Sequence, residues 1–350
     1  MDNKERKISD EVLMKRQIID EDFYSITSIY ERLRFILLYG ILAPSTHNSQ
    51  PWLFKIRDTL IEVYSNPKYC LPYADPLKRD MYISIGCCLE NIIKAGRYFR
   101  IFEKLEIVLK EELVAILSFK DVLENKDPDL DFKEYLEAIK TRQNVRGLFE
   151  NKNIEESIID EIKSLNDFED IEVLFLKDKT KIEEMAKLTA EGIRRAYTDK
   201  NFRKEMSKWI YPDLIKTRKD GIPTSSLKAP FPFSILLPYL IRYLNIGKKL
   251  SELNKLSIAS APLSIGIFSK NNNPESWIKV GMLSERIMLY LKTKEIKTSI
   301  FVAAIEMGLT NEVKNLFGTE LEPQFHFCAG YMKSNDKYTP RRSIDEFIMH

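Results

Sequence analysis

The sequence predicts an α+β protein built from two tandem copies of one unit, with a helical insertion in the second copy. Three observations predict it. Amphipathic helices are mixed with short strand pairs rather than alternating strictly with single strands. The string Ile85-Gly86-x-x-x-Glu90-x-Ile92 recurs as Val280-Gly281-x-x-x-Glu285-x-Ile287, each time on a long amphipathic helix and downstream of a helix-then-strand unit. The stretch from about 196 to 256 has no counterpart in the first copy and holds five of the chain's 15 prolines, Pro212, Pro223, Pro230, Pro232 and Pro238.

The elements follow in order. Residues 1–21 are charged and read as a loosely attached leader or surface helix. The first unit covers 22–130. Ile29, Leu33, Ile36, Leu37 and Ile41 recur at helical spacing, and the helix must end before Pro44. Trp52–Ile56 and Leu60–Tyr64 read as strands joined at Arg57–Asp58. Ile85, Cys88, Leu89, Ile92 and Ile93 mark a helix closing near Gly96, followed by strands at Lys104–Leu109 and Leu113–Phe119. The second unit covers 131–350. Asn153 with Glu156 reads as a capping box before a helix striped by Ile154, Ile158, Ile162 and Leu165. Ile171–Leu176 reads as a strand, Val280 to Leu291 as a helix and Gln324–Ala329 as a final strand. The insertion at 196–256 is apolar enough to have to pack on something, so it reads as lid-like or as a small helical subdomain.

Composition narrows the function. Of 350 residues, 44% are apolar, which excludes a disordered chain. Lys and Arg number 54 against 52 Asp and Glu, so the strongly basic surface of a bulk nucleic-acid binder is missing. Twelve glycines, with no GxGxxG or GxxxxGK[ST] string, argue against a glycine loop that cradles phosphate. Four cysteines without a CxxC pair and three histidines argue against a metal centre or a disulfide framework. The charged N-terminus has no apolar signal core, and prolines break the apolar run Ala229–Leu244, so a cytoplasmic protein without a membrane span is expected.

The most informative string is Ala43-Pro44-Ser45-Thr46-His47-Asn48-Ser49-Gln50-Pro51-Trp52. Two prolines stiffen it, and Ser45, Thr46, Asn48 and Gln50 offer hydrogen-bonding groups on a preset backbone. That suits recognition of a polyhydroxylated or heteroaromatic ligand. A nucleophilic Ser45–His47 pair fits poorly, because side chains two apart in an extended loop point to opposite sides and no GxSxG elbow frames the serine. Trp52 reads as core.

This string resembles the AlaProSer-x-x-Asn-x-GlnProTrp signature of the flavin-dependent nitroreductase superfamily. The resemblance implies a nitroreductase-like α+β fold that binds FMN at the interface of an intertwined dimer. The family also carries an Arg-x-Ser-x-Arg-type string before its first helix, where the arginines meet the FMN phosphate. The segment Asp20–Tyr30 has no arginine, and the matching string is Arg142-Gln143-Asn144-Val145-Arg146, ahead of the second unit. A basic residue after the family's last strand corresponds to Arg341 or Arg342. The loop thus lies in the first unit and the arginines in the second. The arrangement resembles a fused dimer, an intramolecular pseudo-dimer with one FMN site, as in the branch that contains the mycobacterial Acg proteins.

The resemblance implies cofactor contacts from Pro44, Ser45, Thr46, Asn48, Gln50, Arg142, Asn144, Arg146, Arg341 and Arg342, with no catalytic side chain and no metal. It implies an oxidoreductase that passes hydride from NADH or NADPH through FMN to a nitro compound, quinone or similar small molecule. The alternative is an FMN store whose insertion occludes the flavin. Either would act as a monomer, with no nucleic-acid or membrane partner.

Overall fold

The computed structural model describes residues 16–121, 127–215, 217–227, 232–333 and 338–349. The first unit opens with helix α1 (Ile29–Gly40), which buries Leu33, Ile36 and Leu37 on one face. Strands β1 (Trp52–Arg57) and β2 (Leu60–Ser65) alternate buried and half-buried residues, as a sheet with one covered face requires. Their register, Arg57 opposite Leu60, makes the turn Asp58–Thr59, one residue later than the sequence suggests. Asp58 takes φ of 50°, a conformation that a short polar side chain tolerates. Helix α2 (Arg79–Tyr98) then leads to β3 (Phe102–Lys110) and β4 (Leu113–Phe119). The sheet is antiparallel throughout, in the order β1-β2-β4-β3.

Helices α3 (Lys133–Thr141) and α4 (Glu156–Ser164) precede β5 (Ile171–Leu176). After β5 come α5 (Lys179–Thr198) and α6 (Lys200–Trp209), each opened by an aspartate whose side chain accepts from a first-turn N–H: Asp178 from Lys181 and Asp199 from Asn201. The short parallel pair β6 (Ile210–Tyr211) and β7 (Ile222–Pro223) follows, with α7 (Phe233–Tyr243) and α8 (Gly247–Ala259) after it. The chain ends with β8 (Leu263–Ser269), α9 (Pro274–Thr293), β9 (Lys297–Ile300), α10 (Ala303–Glu306), α11 (Thr310–Phe317) and β10 (Glu322–Gly330). Asn273 and Pro274 start α9 in the favoured way: the Asn273 side chain accepts from Ser276 N–H and Pro274 sits where no donor is needed.

The second sheet is also antiparallel, in the order β5-β8-β10-β9. Numbered by entry into the sheet, both sheets read 1-2-4-3, and in both a 20-residue helix joins the second strand to the third. Those helices, α2 and α9, pack against each other between the sheets. Gly86 and Gly281 are the contact: a methyl group on Gly86 would fall 2.2 Å from the Ile278 carbonyl oxygen, and one on Gly281 would fall 2.1 Å from that of Ile83. Both repeated glutamates are buried and paired. Glu90 meets Arg286 at 2.9 Å and Glu285 meets Arg142 at 3.2 Å.

Two segments pair with the sheet edges, and the first of them ties the units together. Phe54 N–H donates to Phe347 O and Met349 N–H to Phe54 O, so the chain end pairs with the free edge of the first sheet. Asn144 bridges to Thr298 on the edge of the second.

Several expectations need correction. The capping box does not form: α4 begins at Glu156 after Glu155, because Ile154 is pinned in the core upstream of the first turn. Strands β8 and β9 were not legible, since β8 is buried on both faces and β9 has four residues. The leader is not loose over 16–21: Arg16, Ile18 and Asp20 are buried, and Asp20 meets Lys140 at 3.1 Å. Residues 1–15 of that leader lie outside the described residues. Among the described residues, no helix is long and apolar enough to cross a membrane.

Candidate functional site

A cavity of about 330 Å³ opens where the two units and the insertion meet. The first unit contributes the loop 44–48 and one face of α2, from Asp80 to Cys87. The second contributes residues 142–146 and the chain after β9, from Ile300 to Glu306. Ile222, Ser226 and Asn254 close it from the insertion, and Arg16 and Arg341 reach it from opposite ends of the chain.

The loop is held by strain and by hydrogen bonds. His47, Asn48 and Gln50 all have φ between 53° and 55°, where non-glycine residues are rare. Asn48 holds the turn: its amide group donates to Gly221 O (3.1 Å) and Pro340 O (3.0 Å), while its oxygen accepts from Arg341 (2.8 Å). Gln50 donates to Lys219 O at 2.9 Å and accepts from Arg342 N–H at 3.0 Å. Ser45 Oγ accepts from Gln50 N–H, and Thr46 Oγ1 donates to Asp80 at 3.1 Å. Burial pushes His47 down to about 4, so its imidazole is neutral near pH 7.

Positive charge gathers around the same cavity. Arg16, Arg142 and Arg341 are each less than a tenth exposed. Arg16 donates to the Arg142 carbonyl at 2.9 Å, and Arg142 meets Glu285 at 3.2 Å. Burial, then Arg142, lowers Arg16 to about 9, and burial together with Arg16 and Arg142 presses Arg341 well below its usual value. Burial raises Glu285 in turn, against the pull of Arg142. Arg16 Nε and Glu285 Oε2 have no hydrogen-bond partner among the described residues. A cationic, enclosed cluster with the Arg16 Nε–H donor unspent is chemically matched to an anion.

The residues singled out from the sequence divide into groups. Pro44, Ser45, Thr46, Asn48, Arg142, Asn144, Arg146 and Arg341 line the cavity. Gln50 and Arg342 do not. Gln50 is fully buried behind the loop, and Arg342 donates to the Ser49 and Gln50 carbonyls while its guanidinium lies 3.9 Å from the Tyr69 ring centre. Asn144 spends its oxygen on Ile300 N–H (2.9 Å). Arg341 spends most of its donors on the carbonyls of Ile41, Leu42 and Ala43 and on Asn48, so it shapes the loop that faces the cavity. Sequence reasoning missed Arg16, Asp80 and Glu306. Arg16 lies four residues before the window searched for arginines; nothing local marks the other two.

No protein-family model matches the chain. Over 65 residues it is 35% identical to "Putative NAD(P)H nitroreductase Rv3131" and to "Putative NAD(P)H nitroreductase MT3217" from two strains of Mycobacterium tuberculosis, covering 19% of this chain and 19% of each of theirs. The chain thus spans about a fifth of the length of the curated relatives it matches. Among solved structures, it is similar to the FMN-dependent nitroreductase NfnB of Mycobacterium smegmatis in complex with NADPH. The TM-score is 0.40 at 18% identity, over 62% of this chain and 97% of that one. It is also similar to iodotyrosine deiodinase bound to FMN and 3-iodo-L-tyrosine, with TM-score 0.39 and 16% identity over 59% and 95%. Both scores lie below 0.5. Over that 65-residue stretch the chain is similar to proteins described as putative NAD(P)H nitroreductases.

Proposed function

We propose that this chain is an FMN-dependent oxidoreductase that passes hydride from NADH or NADPH to an electron-poor small molecule, such as a nitro compound or a quinone. The observation that carries the reading is the cationic cluster: buried Arg16, Arg142 and Arg341 with Arg146, converging on one cavity, with Glu285 bonded to Arg142 behind it. A phosphate of charge about −1.5 to −2 would relieve the mutual repulsion of these guanidinium groups.

Arg16, Arg142 and Arg146 would hold the phosphate, and Pro44, Ser45, Thr46 and Asn48 would border the rest of the cofactor. Asn144 and Arg341 act behind them, Asn144 on β9 and Arg341 on the loop. When bound, FMN supplies the hydride chemistry. The side chains bind, orient and exclude water, with Ile222 and Ser226 on the insertion side. The reading includes a monomeric pseudo-dimer related to the fused Acg-like branch. It is supported by two sheets of identical strand order and by the reciprocal Gly86–Gly281 contact.

A second reading, an FMN store with little turnover, is favoured by the insertion's grip on the loop. Asn48 and Gln50 are bonded to Gly221 and Lys219. Purification and anaerobic stopped-flow mixing with NADH and NADPH separate the two. A yellow protein whose flavin bleaches within seconds supports the reductase; a yellow protein that stays oxidised supports the store. A colourless protein that takes up no added FMN ends both. The double variant Arg142→Ala, Arg146→Ala is expected to release FMN, and stoichiometric retention would place the phosphate elsewhere.

A further inference from the structure

One feature of the cavity lies apart from the cationic cluster. Asp80, in the first turn of α2, and Glu306, the last residue of α10, are hydrogen-bonded to each other through their side chains. Both line the cavity. Two carboxyl groups can bond only when one of them carries a proton. Asp80 is the acceptor, since Oδ1 takes the Arg79 guanidinium at 3.1 Å and Oδ2 takes the Thr46 hydroxyl at 3.1 Å. The proton therefore sits on Glu306.

From this geometry we infer that Glu306 is the proton donor of the reaction, delivering its carboxyl proton to the bound acceptor, with Asp80 as its positioning partner. The inference rests on the reductase reading above. Reduction of a quinone by hydride adds one hydrogen and two electrons to one oxygen and leaves a phenolate at the other. That oxygen takes H⁺ as the Glu306 O–H bond breaks, and Glu306 regains a proton from water. The sum is NAD(P)H + H⁺ + quinone → NAD(P)⁺ + hydroquinone. A nitro group needs the same delivery: hydride and one proton convert R–NO₂ to R–NO and water.

The surroundings keep Glu306 protonated. Burial and the facing Asp80 carboxylate push it well above the usual carboxylate range. Burial would raise Asp80 too, but Arg79 and the bonds from Glu306 and Thr46 hold it low. The charged and titratable groups facing the pair are Arg79 at the start of α2, Asp75 just before it and His47 near Asp80, while Arg195 on α5 donates to Met307 O behind Glu306. The backbone around Glu306 is fixed as well. Gly192 of α5 lies so close to α10 that a methyl group there would be 2.3 Å from Ala303 O.

The test compares wild type, Glu306→Gln and Asp80→Asn as FMN-loaded proteins. Infrared spectra of the oxidised proteins near pH 7 should show a protonated-carboxyl carbonyl stretch, shifted in D₂O and lost in Glu306→Gln. In stopped-flow, reduction by NAD(P)H and reoxidation by a quinone are read separately, because only the second takes its proton from this group. Reoxidation by a quinone should slow by about 100-fold in Glu306→Gln. In Asp80→Asn, the pH profile of reoxidation should shift down by about one unit, because the like charge that raises Glu306 is gone. A Glu306→Gln enzyme reoxidised at the wild-type rate overturns the inference alone. A wild type that NAD(P)H does not reduce overturns the reductase reading and this inference together. If Glu306→Gln does not hold FMN, an unshifted profile in Asp80→Asn overturns the inference by itself.

Discussion

Gly86 and Gly281 meet at the centre of the molecule, each against the other helix's backbone. The space for a β-carbon is closed on both sides, at 2.2 Å from Ile278 O and 2.1 Å from Ile83 O. Because the obstacles are backbone carbonyls within α2 and α9, no rotamer change relieves them. Gly86→Ala or Gly281→Ala is expected to cost about 3 kcal/mol, read as a fall in the urea midpoint. An unchanged midpoint would mean that the helices slide apart freely.

Arg142 and Glu285 form a buried pair. Removing the cation alone strands a carboxylate in the interior, so Arg142→Met should cost about 3–5 kcal/mol. Adding Glu285→Gln should recover most of that loss. Denaturant melts of the single and double variants decide it, and no recovery would show that Arg142 stabilises through something other than Glu285.

Arg341 donates to three successive carbonyls at the end of α1 and to Asn48. Lysine has fewer donors and no planar fork. Arg341→Lys should lower stability by about 2 kcal/mol, and FMN affinity should fall with it as the loop loses its shape. Affinity measured by flavin fluorescence should not fall if Arg341 serves stability alone.

Arg16 brings one guanidinium into the cavity wall from the N-terminal segment. A charge-assisted contact with phosphate is worth about 1.5–3 kcal/mol, so Arg16→Ala should weaken FMN binding by about 10–100-fold. An unchanged dissociation constant would move the phosphate away from Arg16.

His326 is buried in β10, with Nδ1–H donating to Phe301 O (2.9 Å) and Nε2 accepting from Ser264 (2.7 Å). Burial lowers it to about 4. The unfolded chain therefore binds this proton first as pH falls. The residue's contribution to stability is complete above about pH 6.5 and is lost progressively toward pH 4. His326→Asn should flatten the stability–pH curve in that window by up to one proton, roughly 1.4 kcal/mol per pH unit. Equal slopes in the two proteins would contradict it.

How much of this was legible depends on the range of the forces. Helices α1, α2 and α9 and the hairpin β1–β2 were readable because each carries its own period of apolar residues. The loop Ala43–Trp52 was readable because proline and asparagine constrain the backbone locally. The repeated Gly-x-x-x-Glu string was visible, and the structure gives it a reason: glycine for the helix contact and glutamate for a buried arginine. Strand β8 was missed because burial on both faces erases the alternation that marks a strand.

The site divides in the same way. Residue types and spacing pointed to the loop, and the resemblance to the nitroreductase superfamily pointed to Arg142 and Arg146. Only tertiary structure separated Asn48 and Arg341, which border the cavity while bracing one another, from Gln50 and Arg342, which lie behind it. Only tertiary structure brought in Arg16, Asp80 and Glu306. Sequence by itself determined the α+β composition, the recurring Gly-x-x-x-Glu string and the stiff, proline-framed loop, all of which are set by local propensity and periodicity. The fold decided which charges share one cavity, because burial and Coulomb interaction depend on distance in space, and Asp80 meets Glu306 across more than two hundred residues of chain.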